Sequence, residues 1–162
     1  MSRAGRRAEL EPAYVLHHRP WRDTSRLLDV FSRDHGRLAL FARGVRGPKS
    51  KLAPVLQPFQ PLLLSWSGSG DAGQLTRAEP ALDAQRDAVP ALPAAALMSG
   101  WYLNELLLKL TTRLDPQPGL YAHYEDALGA MRPGAPAAPL LRRFELQLLQ
   151  ELGYGLDLPH EA

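Results

Sequence analysis

The stretch SRLLDVFSRDHGRLALFAR, residues 25–43, decides the fold. Its first eight residues place Leu28 and Val30 on one face of an extended chain and Leu27, Asp29 and Phe31 on the other. DHG at 34–36 supplies a short turn with a glycine. RLALFAR at 37–43 then repeats the alternation, with Leu38, Leu40 and Ala42 on one face and Arg37, Ala39, Phe41 and Arg43 on the other. Period-two alternation on both sides of a short glycine-containing loop predicts a β-hairpin. Working outward, AYVLH (13–17) reads as the strand before it, and LLLSW (62–66) and GQLTRAE (73–79) as two strands after it, joined by the turn SGSGDAG (67–73). Prolines at 54, 58 and 61 confine the approach to the fourth strand to a bend or an edge. Five short strands with glycine turns fit a small closed barrel.

The period changes in the second half. Leu103, Leu106, Leu107, Leu110 and Leu114 recur at helical spacing and predict a helix over 94–114, ended by Asp115 and Pro116. Leu120, Tyr124, Ala127, Leu128 and Met131 form a second apolar stripe. RPGAPAAP (132–139) breaks the chain, with Pro139 suited to the first turn of the next helix. Leu141, Phe144, Leu148 and Leu152 line a third helix, and Gly153 is its expected stop. The expectation is therefore an all-β unit followed by an all-α unit, residues 1–80 and 81–162, with the boundary in the alanine- and proline-containing stretch near 80–93.

The 162 residues are 45% hydrophobic, enough to bury a core. No apolar run reaches the ~18 residues of a membrane-spanning helix, and no apolar signal core follows the basic N-terminus, so the chain reads as cytoplasmic. The absence of cysteine excludes disulfides, thiol nucleophiles and cysteine-ligated zinc. Charge is divided unevenly. Residues 1–51 carry twelve Arg and Lys against five acids, a net +7, whereas residues 52–162 carry seven against twelve, a net −5. A basic half joined to an acidic half implies two surfaces with different partners.

Catalytic chemistry finds no support. His17 and His18 are neighbours on a strand and point to opposite faces; His35 sits in a turn and is expected to be solvated; His123 and His160 are isolated. There is no HExxH, Walker loop or GxSxG, and GSGDAG lies between strands rather than before a helix. Glu125 and Asp126 read as a wet helix face. No catalytic residue, metal site or cofactor is assigned.

Phosphate binding has better candidates. Residues 44–51, GVRGPKSK, contain no acid. Gly44 and Gly47 allow close backbone approach and flexibility, Arg43, Arg46, Lys49 and Lys51 supply charge, and Ser50 a hydroxyl donor. Arg37 and Arg43 flank Phe41 on one strand face, and Trp21 lies among Arg19, Arg22 and Arg26. Cations interleaved with aromatics on a small barrel suit single-stranded nucleic acid, where phosphates follow a positive groove and bases stack. Trp21 leads the aromatic candidates for base contact, with Phe31 and Phe41 behind it.

The segment LHHRPWRDTSRLLDVFSRDHGRLALFARGVRGPKSKLAPVLQPFQPLLLSWSG resembles the N-terminal barrel of the bacterial recombination mediator family RecO. An arginine–proline–aromatic step, a serine before the second strand, Lys–Ser in the loop and then LQPFQPL follow in one register. GWYLNELLLKL, the step at Gly119, Leu120 and Tyr121, and LLRRFELQLLQELGYGLDL resemble the family's helical domain, so the likeness covers about residues 13–158. It implies an OB-fold barrel followed by a helical domain. It also implies a non-enzymatic protein that binds single- and double-stranded DNA and anneals complementary strands. Such a protein engages the C-terminal tail of the single-stranded-DNA-binding protein and, with RecR, helps load RecA. DNA contacts carried over by the resemblance fall on Arg37, Arg43, Arg46, Lys49, Ser50 and Lys51, beside Trp21 and Arg22. The acidic, aromatic-ended tail is expected at Arg142 and Arg143, with Leu141 and its leucine neighbours meeting the apolar end.

Family members run on past the Gly-Tyr step for several dozen residues, in some with a cysteine-ligated zinc module, whereas this sequence stops at LPHEA. The helical domain is thus expected to be incomplete, with an apolar face left uncovered. The alternative reading is a protein-interaction adaptor whose contact with DNA is incidental, motivated by the acidic, leucine-rich second half.

Overall fold

The computed structural model describes residues 7–68, 72–83 and 85–154. The tip of the SGSGDAG turn, Arg3, Arg6, the GLDL segment at 155–158 and His160 lie outside them. Five strands, β1 (Ala8–Trp21), β2 (Ser25–Ser32), β3 (Gly36–Ala42), β4 (Leu62–Ser67) and β5 (Ala72–Pro80), close into a barrel in the order β1-β2-β3-β5-β4. A single turn of 3₁₀ helix (Ala94–Ala96) leads into α1 (Leu97–Leu110), followed by α2 (Pro118–Met131) and α3 (Ala137–Glu151). The barrel and the three helices agree with the expected all-β and all-α units.

β1 is longer than the five residues expected, because it serves two neighbours. Its first half pairs antiparallel with β4 and its second half with β2. The β2–β3 hairpin pairs Ser32 with Gly36 across three loop residues, and Gly36 takes φ +75°, the left-handed conformation such a loop needs. The buried Glu11 carboxylate ties this hairpin to β1 by accepting from Ser32 Oγ (3.0 Å) and the Asp34 N–H (2.7 Å). Ala13, Val15, Leu28, Val30, Leu38, Leu40, Leu62 and Leu64 fill the barrel. The alternate residues Tyr14, Leu16 and Phe31 face outward into a second core with Leu103, Leu107, Tyr124, Phe144 and Leu148. The pleat thus divides one pair of strands between two cores, so Phe31 is fully buried and unavailable to a base.

A β-bulge decides how the helices attach. The β1–β2 register runs from Val15 opposite Val30 to His17 opposite Asp29, leaving Leu16 as the extra residue. The Leu16 carbonyl accepts from Asn104 Nδ2 at 3.0 Å, and Asn104 Oδ1 in turn accepts from the Tyr124 hydroxyl. Asn104 is buried among leucines, so α1 presents Gly100, Leu103, Asn104 and Leu107 to the core, a stripe rotated from the one its leucines predict. Gly100 is required there, because a Cβ would stand 2.8 Å from the Phe59 ring. Burial raises the pKa of Tyr14, Tyr121 and Tyr124 well above the usual phenol value; the Glu125 carboxylate, which accepts from Tyr14 at 2.9 Å, adds to the rise at Tyr14.

The first helix ends at Leu110, four residues short of the expected end. The chain turns away because β3 captures it. Arg37 donates from Nε to Thr111 Oγ1 (3.1 Å) and from Nη2 to the Thr111 carbonyl (2.8 Å), while the Leu114 N–H donates to the Arg37 carbonyl (2.8 Å). These bonds serve helix-end groups that would otherwise lack partners. Leu110 is consequently 48% exposed and outside the core. Gly36 has a second duty here, since a Cβ on it would meet the Asp115 backbone at 2.5 Å. α2 and α3 match expectation: Leu120, Tyr124, Ala127, Leu128 and Met131 are buried, and α3 closes with Gly153 at φ +86°. The Tyr154 N–H donates to the Leu149 carbonyl and the Gly153 N–H to the Gln150 carbonyl, a Schellman termination.

We propose residues 1–80 and 81–162 as the two units of the chain, although Phe59 and three outward residues of β1 and β2 belong to the helical core. Asn104→Leu should cost about 3 kcal/mol in denaturant unfolding, because it strands the Leu16 carbonyl and the Tyr124 hydroxyl without partners. Adding Tyr124→Phe should recover part of that loss, because it removes one stranded group.

Candidate nucleic-acid interface

The basic loop after β3 is a shaped element rather than the flexible one its glycines suggest. Val45 is buried in the barrel core, as is Leu56 at the far end of the segment. Gly44 turns the chain at φ +68°, which its lack of a side chain permits. The Arg46 N–H then donates to the Thr24 carbonyl (2.8 Å), and Arg46 Nη1 to the Arg22 carbonyl (3.1 Å). The loop is thereby tied to the β1–β2 turn, residues 22–24. Gly47 and Ser50 continue it through N–H bonds to the carbonyls of Gly44 and Gly47, each 3.1 Å. Ser50 Oγ accepts the N–H groups of Leu52 and Ala53, both at 3.3 Å, so its oxygen holds the turn. Lys49 and Lys51 stand exposed on this frame.

Beside the loop, the outer face of the barrel opens into a pocket of about 410 Å³ lined by Trp21, Arg22, Phe41, Arg43 and Gln74 among others. Strand register explains its make-up. Arg19 lies opposite Leu27, Leu27 opposite Phe41, and Phe41 opposite Gln74, a row that crosses β1, β2, β3 and β5 on one face. Trp21 ends β1 just past this row and packs on Phe41, ring centroids 5.5 Å apart at 48°. Gln74 is fixed by donating Nε2 to the Phe41 carbonyl at 3.1 Å. Alternation puts 73–79 on a strand without giving its register, so Gln74 does not stand out in the sequence; β5 runs parallel to β3, a pairing that alternation does not reveal.

Charge gathers on the same end. Among the described residues, none of Arg19, Arg22, Arg26, Arg43, Arg46, Lys49 or Lys51 forms an ion pair with a carboxylate. Desolvation, with Arg26 and His17 nearby, holds the His18 pKa below its ordinary value. Arg37 stands elsewhere. It lies near the start of β3, six residues and roughly 20 Å along the chain from Arg43, just past the strand's end. Its guanidinium is committed to Thr111, and desolvation and Arg113 lower its pKa. Of the sequence candidates, the structure brings Trp21, Arg22 and Arg43 together around the pocket and ties Arg46 to Arg22, leaves Lys49 and Lys51 exposed on the adjoining loop, gives Ser50 a turn-holding contact and sets Arg37 at the junction with the helices. His35 is half-buried and lies edge-on to Trp66 at 5.3 Å, in place of the solvated site expected.

The helical unit carries a second surface. Arg142 and Arg143 are exposed on α3, while Leu141 packs partly against the core. Alongside, α1 exposes Met98 (82%), Trp101 and Tyr102, and the Tyr102 hydroxyl donates to Glu145 Oε1 at 3.0 Å. The leucine spacing points to the buried face and does not single out these three as a surface; the register through Gly100 and Asn104 keeps them outward. Among the described residues, no group of three or more His, Cys, Asp or Glu could hold a metal ion, and no helix is long and apolar enough to cross a membrane.

The profile for the family described as Recombination protein O N terminal matches residues 8–82, and that for Recombination protein O C terminal matches residues 94–162. The chain belongs to the RecO family. The DNA repair protein RecO of Azoarcus sp. (strain BH72) is 52% identical over 156 residues, covering 96% of this chain and 62% of that protein. The RecO proteins of Aromatoleum aromaticum and Ralstonia nicotianae are 52% and 48% identical, with 63% and 56% of their lengths covered. The chain therefore spans less than two thirds of the length of these RecO relatives. The barrel is the OB-like RecO N-terminal unit, and the helices belong to the RecO C-terminal unit.

Arg37→Ala should lower stability by about 2 kcal/mol in denaturant unfolding, the scale of a charge-assisted hydrogen bond lost at a packed junction. The salt dependence of oligonucleotide binding should stay as in the unchanged protein.

Proposed function

We propose that this chain acts in DNA repair and recombination by binding single- and double-stranded DNA at the loop end of the barrel and annealing complementary strands. With RecR, it helps load RecA onto DNA coated by the single-stranded-DNA-binding protein. It works without catalysis of its own, in the cytoplasm at the nucleoid. The observation that carries this reading is the convergence of carboxylate-free cations from the 22–24 turn, the end of β3 and the 44–51 loop around Trp21. Cations held on a fixed backbone attract phosphate without the cost of ordering a mobile loop. If about four phosphates of a single strand are engaged, log K should fall against log salt with a slope near −3. Replacing Arg46, Lys49 and Lys51 together with alanine should reduce that slope by about 2, since each phosphate contact contributes about 0.7. Fluorescence anisotropy over a salt series measures it, and an affinity indifferent to salt would refute the reading.

The face formed by α1 and α3 supports the second half of the proposal, docking of the acidic tail of the single-stranded-DNA-binding protein. Arg142 and Arg143 offer charge to the tail's carboxylates, and Met98, Trp101 and Leu146 an apolar seat for its aromatic end. Arg142→Ala should weaken binding of an acidic, phenylalanine-ended peptide by about tenfold in a titration while leaving oligonucleotide binding unchanged. Peptide binding that survives Arg142→Ala would move the tail to another surface.

A further inference from the structure

We propose that the pocket bounded by Trp21, Phe41 and Gln74 seats one unpaired nucleobase and so gives the barrel a preference for single strands. The inference rests on the nucleic-acid reading above and assigns one site within it a specific ligand.

Four features of the pocket carry it. The first is the indole. Trp21 is 39% exposed at the last position of β1, whereas Tyr14 and Leu16 earlier on the same strand are buried in the helical core. One side of it is braced by Phe41, so its orientation is held and the remaining aromatic surface is open. An aromatic platform of this kind takes the flat face of any base, which makes it tolerant of sequence. The second is Gln74. Its amide nitrogen is occupied by the Phe41 carbonyl, so its oxygen is left as the acceptor beside the platform. Nucleobases carry N–H donors on their pairing edges; purely apolar ligands have nothing to offer it. The third is the rim. Arg22 and Arg43 line the same pocket, and the loop lysines lie beyond, so a base seated here has cations at hand for its own phosphodiesters. The fourth is space. A cavity of about 410 Å³ open to solvent admits a planar heterocycle, whereas a base inside a duplex has both faces stacked and its pairing edge engaged. A duplex therefore reaches the cations but not the pocket.

The test separates bases from phosphates. Two labelled oligonucleotides of equal length and phosphate number are compared by anisotropy at fixed salt, one of thymidine and one of abasic tetrahydrofuran units, with a duplex as a third arm. The unchanged chain should bind the thymidine strand about tenfold more tightly than the abasic strand. Trp21→Ala should bring the two strands to equal affinity and leave abasic and duplex binding where they were. Trp21→Phe should keep most of the preference. Equal binding of both strands by the unchanged chain overturns the base site while the phosphate-binding reading stands. Failure to bind any of the three at low salt overturns that reading and the base site with it. The comparison of strands on the unchanged chain decides the matter even if the alanine variant fails to fold.

Discussion

The hydrogen bond from Asn104 to the Leu16 carbonyl sets the relation of the barrel to the helices. A bulge at Leu16 interrupts the ladder in the half of β1 that pairs with β2. The bulge removes one carbonyl from the ladder, in the middle of an apolar interface. A buried carbonyl without a partner is costly. Asn104 supplies the partner, and Tyr124 fixes the amide so that its nitrogen faces the strand. One polar chain from β1 through α1 to α2 thus marks the register in which the helices seat, where leucine packing alone would tolerate a slip.

That seating gives each of the strands two ends with different work. In β1, Tyr14 and Leu16 lie under the helices and Trp21 stands clear of them. Arg37, near the start of β3, is spent on the end of α1, whereas Arg43, just past its end, faces the open pocket. The helices cover one end of the outer barrel face and leave the other to the basic loop. Residues of the same type along one strand and its continuation are therefore structural or available according to which side of this division they fall.

Strand existence was legible because alternation is a local property. Residues 25–32 match β2 as read, and the glycine at 36 marked its hairpin. The loop cations were legible because no acid interrupts them. What local pattern did not carry was pairing over distance. The capture of Thr111 by Arg37 joins positions 74 residues apart and shortened α1 against a clear leucine repeat. The rotation of that helix toward Asn104 follows from a carbonyl on β1 that no feature of α1 announces. Phe31 and Phe41 look equivalent in the sequence, yet one lies in the helical core and the other beside Trp21, because the helices cover only one end of the hairpin.

Val45 has a consequence for how this chain can vary. It fastens the loop by a side chain that is buried, while among the described residues Lys49 and Lys51 form no ion pair with a carboxylate. Shape and charge are thus written in different letters of the same eight-residue word. The cations can be exchanged, moved by a position or reduced in number without disturbing the path of the backbone. A change at Val45 would misplace all of them together. Such a loop can drift in strength of attraction over evolutionary time while its geometry stays fixed.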